Sequence, residues 1–478
     1  MGFKQFLQRR SLKSKDDKRT PAAELTLRES FYPICLVTVL FFLWGFSYGL
    51  LDTLNKHFQN TLGISRARSS GLQAAYFGAY PLAALGHANW ILRHYGYRAT
   101  FIWGLFLYGV GSLIAWPCIL ARSFAGFCVA IFIIGNGLGS LETAANPYIT
   151  VCGPPKYAEI RINVSHTFNG IGTVIAPVLG SYVFFVFDEE TALRNVQWVY
   201  LAIAIFVFIL AIAFWLSVIP EITDADMAFQ ANESHANADD QPFWKQYRLF
   251  HAAFSQFCYV GAQVAIAGYF INYVDDVLPW NPNDSMAYRS GIGSKYLAGA
   301  QAAFALGRPC GIFLMRYFRP RWIFLGFMSM CVVFVAPSIT QRGFTGMSML
   351  YVTLFFESIC FPTIVALGMR GLGRHTKRGS GWIVGGVIGG AVVPPLTGVT
   401  GDLHGTPMSM VVPLCFFVAA LTYPLALNFV PSYRDIADAF SDTTIGIEGG
   451  HAGVTDEENG VVGGIFGDEK AVEVEHLR

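Results

Sequence analysis

The chain has 478 residues, 53% of them hydrophobic and 14% charged, with a formal net charge of +1. A soluble domain carries about 25% charged residues, so this composition excludes a disordered chain and argues against a water-soluble enzyme. The near-zero net charge is a cancellation between a basic N-terminus and an acidic C-terminus, and no continuous basic face points to nucleic acid.

Residues 1–30 are polar and basic, and the first apolar run, from about Phe31, is too long for the core of a cleavable signal peptide. A helix needs about 20 apolar residues to cross a bilayer. Apolar segments follow near 31–58, 70–92, 99–120, 124–150, 162–187, 197–218, 250–276, 292–316, 321–340, 347–370, 380–402 and 409–430. The expected fold is therefore an all-α membrane protein of twelve transmembrane helices in two six-helix bundles. Its parts are a basic N-terminus (1–30), a first bundle (31–218), a polar linker (219–246), a second bundle (247–430) and a disordered acidic tail (431–478).

Lys and Arg collect in loops on the side of the N-terminus, which puts both termini and the linker in the cytoplasm of a plasma-membrane protein. The nine cysteines fall mostly inside apolar runs, with no C-x-x-C pair, and read as small buried hydrophobes. The ten histidines are dispersed. No metal cluster, nucleophile elbow or phosphate loop is present, so neither an enzyme nor a cofactor is implied. Asn283, in Asn-Asp-Ser within the expected outer loop, is a glycosylation candidate for a eukaryotic host.

An internal repeat supports the six-plus-six division. Residues 171–180 read IGTVIAPVLG and residues 388–398 read IGGAVVPPLTG, so Gly172 and Pro177 recur as Gly389 and Pro394. The loop pair Arg93 and Arg98 recurs as Arg316 and Arg321. Two parallel bundles would then bind a solute near the midplane where they meet. The glycine rows of spans five and eleven serve close helix packing or an occlusion hinge.

Charges inside apolar runs are rare unless they pair, face water or do work. Four stand out: Asp52, Glu142, Arg308 and Glu357. Asp52, at the end of WGFSYGLLD, is either an interfacial acid paired with Lys56 or a titratable gate. Glu142 lies in GLGSLETAANP among small residues that leave room for water or ligand. Asn146 shares its face, and Pro147 frees a carbonyl one turn before. Both carboxyl groups are the expected proton carriers. Arg308 reads as a structural charge partner, with Glu357 as its counter-ion or as a second protonation site; Arg93 and Arg98 join them as structural or gating charges. His166, Asn169, Gln256, Tyr259 and Gln263 are polar residues available to line a cavity, or to bond between helices. A pyranose site pairs flat rings with amides and carboxylates; Phe42, Trp44, Tyr48, Tyr76, Phe168, Tyr259, Phe361 and Trp382 are the ring candidates.

The runs FFLWGFSYGLLDTLNKHFQ (41–59), LETAANPYITVCGP (141–154), FNGIGTVIAPVLG (168–180) and QFCYVGAQVAIAGYFINY (256–273) resemble the fucose:proton symporter branch of the major facilitator superfamily. The resemblance covers roughly residues 30–430 and implies proton-coupled uptake of a monosaccharide by alternating access. It implies that Asp52 and Glu142 are the two key carboxyl groups and that Asn169, Gln256 and Gln263 line the sugar cavity. The chain departs from the branch's bacterial pattern at Tyr48 and Gly49, at His166 and at Glu357, and the loop from Gly86 to Arg98 lacks the usual Asp. The expected partners are a sugar, protons and the lipid bilayer, with the chain a monomer. The alternatives are a proton-coupled exporter of a small metabolite and a non-transporting nutrient sensor.

Overall fold

In the computed structural model the described residues are 20–62, 64–179, 189–217, 219–233, 242–440, 443 and 445–446. They form twelve long helices: α1 (Leu27–Leu62), α2 (71–95), α3 (97–120), α4 (Phe124–Val151), α5 (Ala158–Leu179) and α6 (Glu189–Leu216), then α7 (Tyr247–Val277), α8 (Met286–Tyr317), α9 (Pro320–Ser338), α10 (Gly343–Met369), α11 (Gly373–His404) and α12 (Thr406–Phe429). Ten stretches are long and apolar enough to cross a bilayer. The one over Arg66–Leu120 holds both α2 and α3, which meet at Gly96. The remaining helix is α5, made more polar by Asn163, His166 and Asn169. The shortest, α9, is 19 residues long, or about 28 Å, enough for the hydrocarbon core.

Helix ends are set locally. Ser123 and Ser285 cap α4 and α8 by accepting hydrogen bonds from the amides of Gly126 and Tyr288. Gly96 separates α2 from α3 with φ of 84°, a conformation that disfavours side chains. A Cβ there would also strike the Glu221 carboxylate, which receives the Tyr97 amide at 2.8 and 3.1 Å. An acid on a helix N-terminus is favourable. Glu221, from the linker, thus sits beside the loop that lacks its own Asp. In the second half Asp438 instead pairs with side chains at the start of α9, Arg321 at 2.9 Å and also Arg319.

The packing repeats as the sequence does. Contacts of α1 with α5, α2 with α4, α3 with α4 and α3 with α6 recur as α7 with α11, α8 with α10, α9 with α10 and α9 with α12. The repeated glycines sit at the tightest of these. A Cβ on Gly172 would lie 2.6 Å from both Phe42 O and Phe46 N of α1, and one on Gly389 would collide with Phe257 O of α7. These rows therefore serve backbone-to-backbone packing. The outer faces stay apolar: α6 exposes Ile205, Phe206, Ile209 and Ile212, as lipid contact requires.

At the terminus-bearing end, the linker helix Asp224–Glu233 packs under the bundles. Thr20 donates to Asp226 at 2.7 Å, and Gln230 donates to Ala23 O at 2.9 Å. The start of the segment expected to be a disordered tail is helical instead: Pro431–Ala439 packs along α12 with Ala437 buried. Asp438 of this helix is taken by Arg319 and Arg321, which hydropathy could not foresee, and Asp435 pairs with Arg434. Acidic residues of the tail from Asp456 onward lie outside the described residues. All nine cysteines are free; Cys152, Cys258, Cys331 and Cys360 are buried, but Cys35, Cys310 and Cys415 are exposed on outer faces. Among the described residues no cluster of His, Cys, Asp and Glu could hold a metal. Asn283 is exposed in the turn between α7 and α8.

Candidate functional site

The bundles meet where α5 packs on α8, α2 on α11, α4 on α11, α5 on α10 and α1 on α7. At this seam lies a small chamber. From the first bundle it is lined by Trp44, Tyr48, Phe77 and Asn169, and from the second by Val260, Gln263, Val264, Phe304, Arg308 and Phe361. About 20 Å³ is open to the centres of water molecules, room for one or two waters. The chamber is therefore contracted.

Both ends are shut. At the terminus-bearing end Arg370 of α10 pairs with Glu159 of α5 at 2.5 Å, with side chains 5% and 1% exposed. Asn89 of α2 donates to Lys377 O at 3.0 Å. At the far end Arg66 pairs with Asp276 of α7 at 3.0 Å, and Asp402 of α11 receives the amides of Arg66 and Ala67 at 3.3 and 3.1 Å. Ser294 of α8 donates to Pro177 O at 2.9 Å.

Next to the chamber stands a ring cluster. His166 lies with its ring centroid 4.7 Å from Phe41, 5.5 Å from Trp44 and 5.3 Å from Phe361, and Trp44 and Phe361 are 5.1 Å apart. Neither ring nitrogen of His166 has a hydrogen-bond partner, nor has the Trp44 Nε1 or the Tyr48 hydroxyl. Tightly packed interiors rarely leave such groups unpaired. Apolar rings beside unpaired donors and acceptors match a flat, hydroxyl-rimmed ligand.

Two carboxyl groups flank this cluster. Asp52 is 1% exposed, with both oxygens unpartnered. Its neighbours are Tyr48, the Gln73 amide (also unpartnered) and Gly268 of α7. The Lys56 side chain, one expected partner, lies outside the described side chains. Glu142 is 4% exposed; the Tyr80 hydroxyl donates to its Oε1 at 3.3 Å and Oε2 is unpartnered. Neither meets a cation among the described residues. Asn146, one turn on, is buried with its whole amide unpartnered. Pro147 does release the Thr143 carbonyl, and Ser380 of α11 donates to it at 3.3 Å.

Other expectations are placed differently. Arg308 does not pair with Glu357. It donates Nε to Ser358 O at 3.0 Å and Nη1 to His166 O, and lies over the Phe304 ring at 4.4 Å. Guanidinium donors here satisfy carbonyls, one on each bundle, rather than a carboxylate. Gln256, Tyr259 and Gln263 do not share one place. Gln263 lines the chamber, Gln256 is buried beside Gly386 with its amide unpartnered, and Tyr259 turns inward to donate to Glu357 O at 2.7 Å. Trp382 is remote, packed edge-to-face against Trp244 and Phe250 at ring separations of 5.6 and 5.2 Å. Phe168 is 46% exposed on the outer face. Of the loop arginines, Arg98 reaches Ser217 O at 3.4 Å, while Arg93 is exposed. The sequence reasoning passed over Glu159, Gln73, Asp276 and Asp402. Gln73 alone carried a signal, as a lone amide at the head of an apolar run.

The profile of the Major Facilitator Superfamily matches residues 37–394. The chain belongs to the Major Facilitator Superfamily. It stands in the fucose-permease-like branch: it is 31% identical over 419 residues to the L-fucose-proton symporter of Escherichia coli K12, covering 82% of this chain and 92% of that one. A glucose/galactose transporter of Brucella abortus is 28% identical over 400 residues, covering 82% and 93%. The outward-conformation crystal structure of the transporter FucP matches with a TM-score of 0.66 at 30% identity, over 83% of this chain and 98% of that one. The D-xylose symporter XylE shares the fold alone, at a TM-score of 0.64 and 14% identity over 84% and 96%.

Proposed function

We propose that this integral, multi-pass membrane protein is a secondary active transporter that takes up a monosaccharide together with protons by alternating access, and is not an enzyme. The observation that carries the reading is the shut chamber at the bundle seam, where unpaired polar atoms and flat rings lie beside two carboxyl groups that meet no cation among the described residues. The relatives named above add the substrate class: hexoses and a deoxyhexose.

Burying an uncompensated carboxylate is costly, so Asp52 and Glu142 fit the closed chamber as neutral acids. Opening at either end readmits water and lets them exchange protons. His166, Asn169, Gln263 and Tyr48 supply hydrogen bonds to hydroxyls, and Trp44 and Phe361 supply the apolar faces. Asn146 and Gln256, buried with unpartnered amides, join the solute as the chamber widens. Each gate ties one bundle to the other, so opening one while the other holds yields alternating access. The inward proton gradient supplies the drive.

The charge of Arg93, Lys156, Arg248, Arg316, Arg319, Arg374 and Arg378 at the terminus-bearing end supports a cytoplasmic location for that end, in a plasma-membrane protein. The working unit is the monomer, since the chamber is complete within one chain. The test is uptake of labelled L-fucose, D-glucose and D-galactose into proteoliposomes under an inward proton gradient. Wild type should concentrate at least one of them and Glu142→Gln should not. Accumulation by Glu142→Gln equal to wild type would sink the reading.

A further inference from the structure

The mechanism above leaves one intramembrane acid unused. Glu357 of α10 is 1% exposed and its Oε1 has no partner. Its place in the chain is not arbitrary. Glu142 precedes Pro147 by five residues, and Glu357 precedes Pro362 by five. Both pairs lie on helices that the packing repeat makes equivalent, α4 and α10, at positions 215 apart in each case (142 to 357, 147 to 362).

The prolines act alike. A proline lacks the amide that would bond the carbonyl four residues back. In α4 the released carbonyl of Thr143 is taken by Ser380. In α10 the helix is interrupted at Ser358 and Ile359, and the released Ser358 carbonyl is taken by Arg308. Broken helices at the midplane are where transporters place their ion and solute sites. The Ser358 hydroxyl at this break is also buried and unpartnered.

The titratable groups facing Glu357 are Tyr48 from α1, Tyr259 from α7 and Cys331 from α9, with Cys360 of α10 beside the last two. Arg308 of α8 is one residue away on Ser358, and His166 of α5 lies beyond it. In the closed form Arg308 spends its second bond on the His166 carbonyl, across the bundle seam. That bond breaks when α5 and α8 part, because the two helices belong to different bundles. The bond to Ser358 lies within one bundle and need not break, so the freed guanidinium stays anchored on the residue next to Glu357.

We propose that Glu357 is a further coupling carboxyl group, the second-bundle counterpart of Glu142: it holds a proton in the closed form and gives it to water when Arg308 leaves the His166 carbonyl and pairs with the carboxylate. The O–H bond of the acid breaks, the proton goes to water, and the negative charge is met by the guanidinium. The inference deepens the transport reading and rests on it only for its second arm below.

The first arm needs no sugar. Infrared difference spectra of the reconstituted full chain, taken over a pH titration, resolve the carbonyl stretch of neutral carboxyl groups. Glu357→Gln should remove one component and leave those of Asp52 and Glu142. Arg308→Gln should leave the Glu357 component in place but stop it titrating. Spectra of Glu357→Gln that match wild type, or an Arg308→Gln titration that matches wild type, overturn the proposal. Should Glu357→Gln not fold, the Arg308→Gln titration decides alone. The second arm reads the proton-to-sugar ratio from the gradient at which net flux of L-fucose, D-glucose or D-galactose reverses. One proton fewer per cycle lowers the equilibrium accumulation about tenfold per pH unit, and an unchanged ratio in Glu357→Gln overturns the proposal. A wild-type protein that moves none of the three sugars refutes the sugar reading, and the infrared arm still decides Glu357.

Discussion

Glu159→Gln should spring the gate at the terminus-bearing end. Glu159 and Arg370 are 2.5 Å apart and nearly solvent-free. With charge centres about 4 Å apart and an effective dielectric near 20, the pair is worth ~4 kcal/mol. Removing one partner of a buried pair typically costs about 3–5 kcal/mol. Arg370 keeps the Ala437 carbonyl as an acceptor, so the low edge applies, about 3 kcal/mol. The two residues belong to different bundles, so this cost falls on the closed form alone; in the open form the guanidinium is in water. The closed-to-open equilibrium at that end should therefore move roughly 150-fold toward open. Spin labels at Lys156→Cys and Arg374→Cys, exposed positions on opposite bundles, would report it as growth of a long-distance population. A second pair, Arg68→Cys and Asn283→Cys, watches the far end. Unchanged distances at the terminus-bearing end in a folded Glu159→Gln protein, or widening at the far end instead, would refute the reasoning.

At the far end, Arg66→Gln removes the cation that Asp276 of the other bundle holds. Both side chains are about a quarter exposed, so the change should be a shift of a few-fold toward far-end opening, seen as widening of the Arg68–Asn283 label distance alone. Gly172→Val should act on stability, because the new side chain meets the Phe42 carbonyl and Phe46 amide at 2.6 Å before any rotamer is chosen. Overpacking costs about 1–3 kcal/mol or more, so thermal unfolding in detergent should fall by several degrees; an unchanged midpoint would mean that α1 and α5 do not pack this closely.

Much of the architecture was legible because the membrane imposes it. A bilayer admits only segments with internally satisfied backbones and apolar surfaces, so twelve apolar runs and one polar divider already implied twelve helices in two sets. The Gly172 and Gly389 repeat pointed to close packing, since residues without side chains let backbones approach, and α1–α5 and α7–α11 do so. Asp52 and Glu142 could be picked out because charge inside an apolar run stands out without any knowledge of neighbours.

The partners follow from how the helices pack. Arg308 looked like an ion-pair residue for Glu357, but Pro362 had released the Ser358 carbonyl, which needed a donor, and which carbonyl faces which helix is not written in hydropathy. Trp382 and Phe168 satisfied every compositional criterion for a ring beside a sugar, yet helix rotation sends one to the linker and the other outward. Glu159, Asp276 and Asp402 lie at helix ends, where charged residues are ordinary, so nothing in the chain marked them. They become gates because helices distant in sequence bring Arg370 and Arg66 opposite them. Local hydrophobicity and spacing along the chain suffice to mark the helices and the costly buried acids. Pairing, gating and the closed chamber depend on contacts between the two bundles, and those exist only once the bundles have docked.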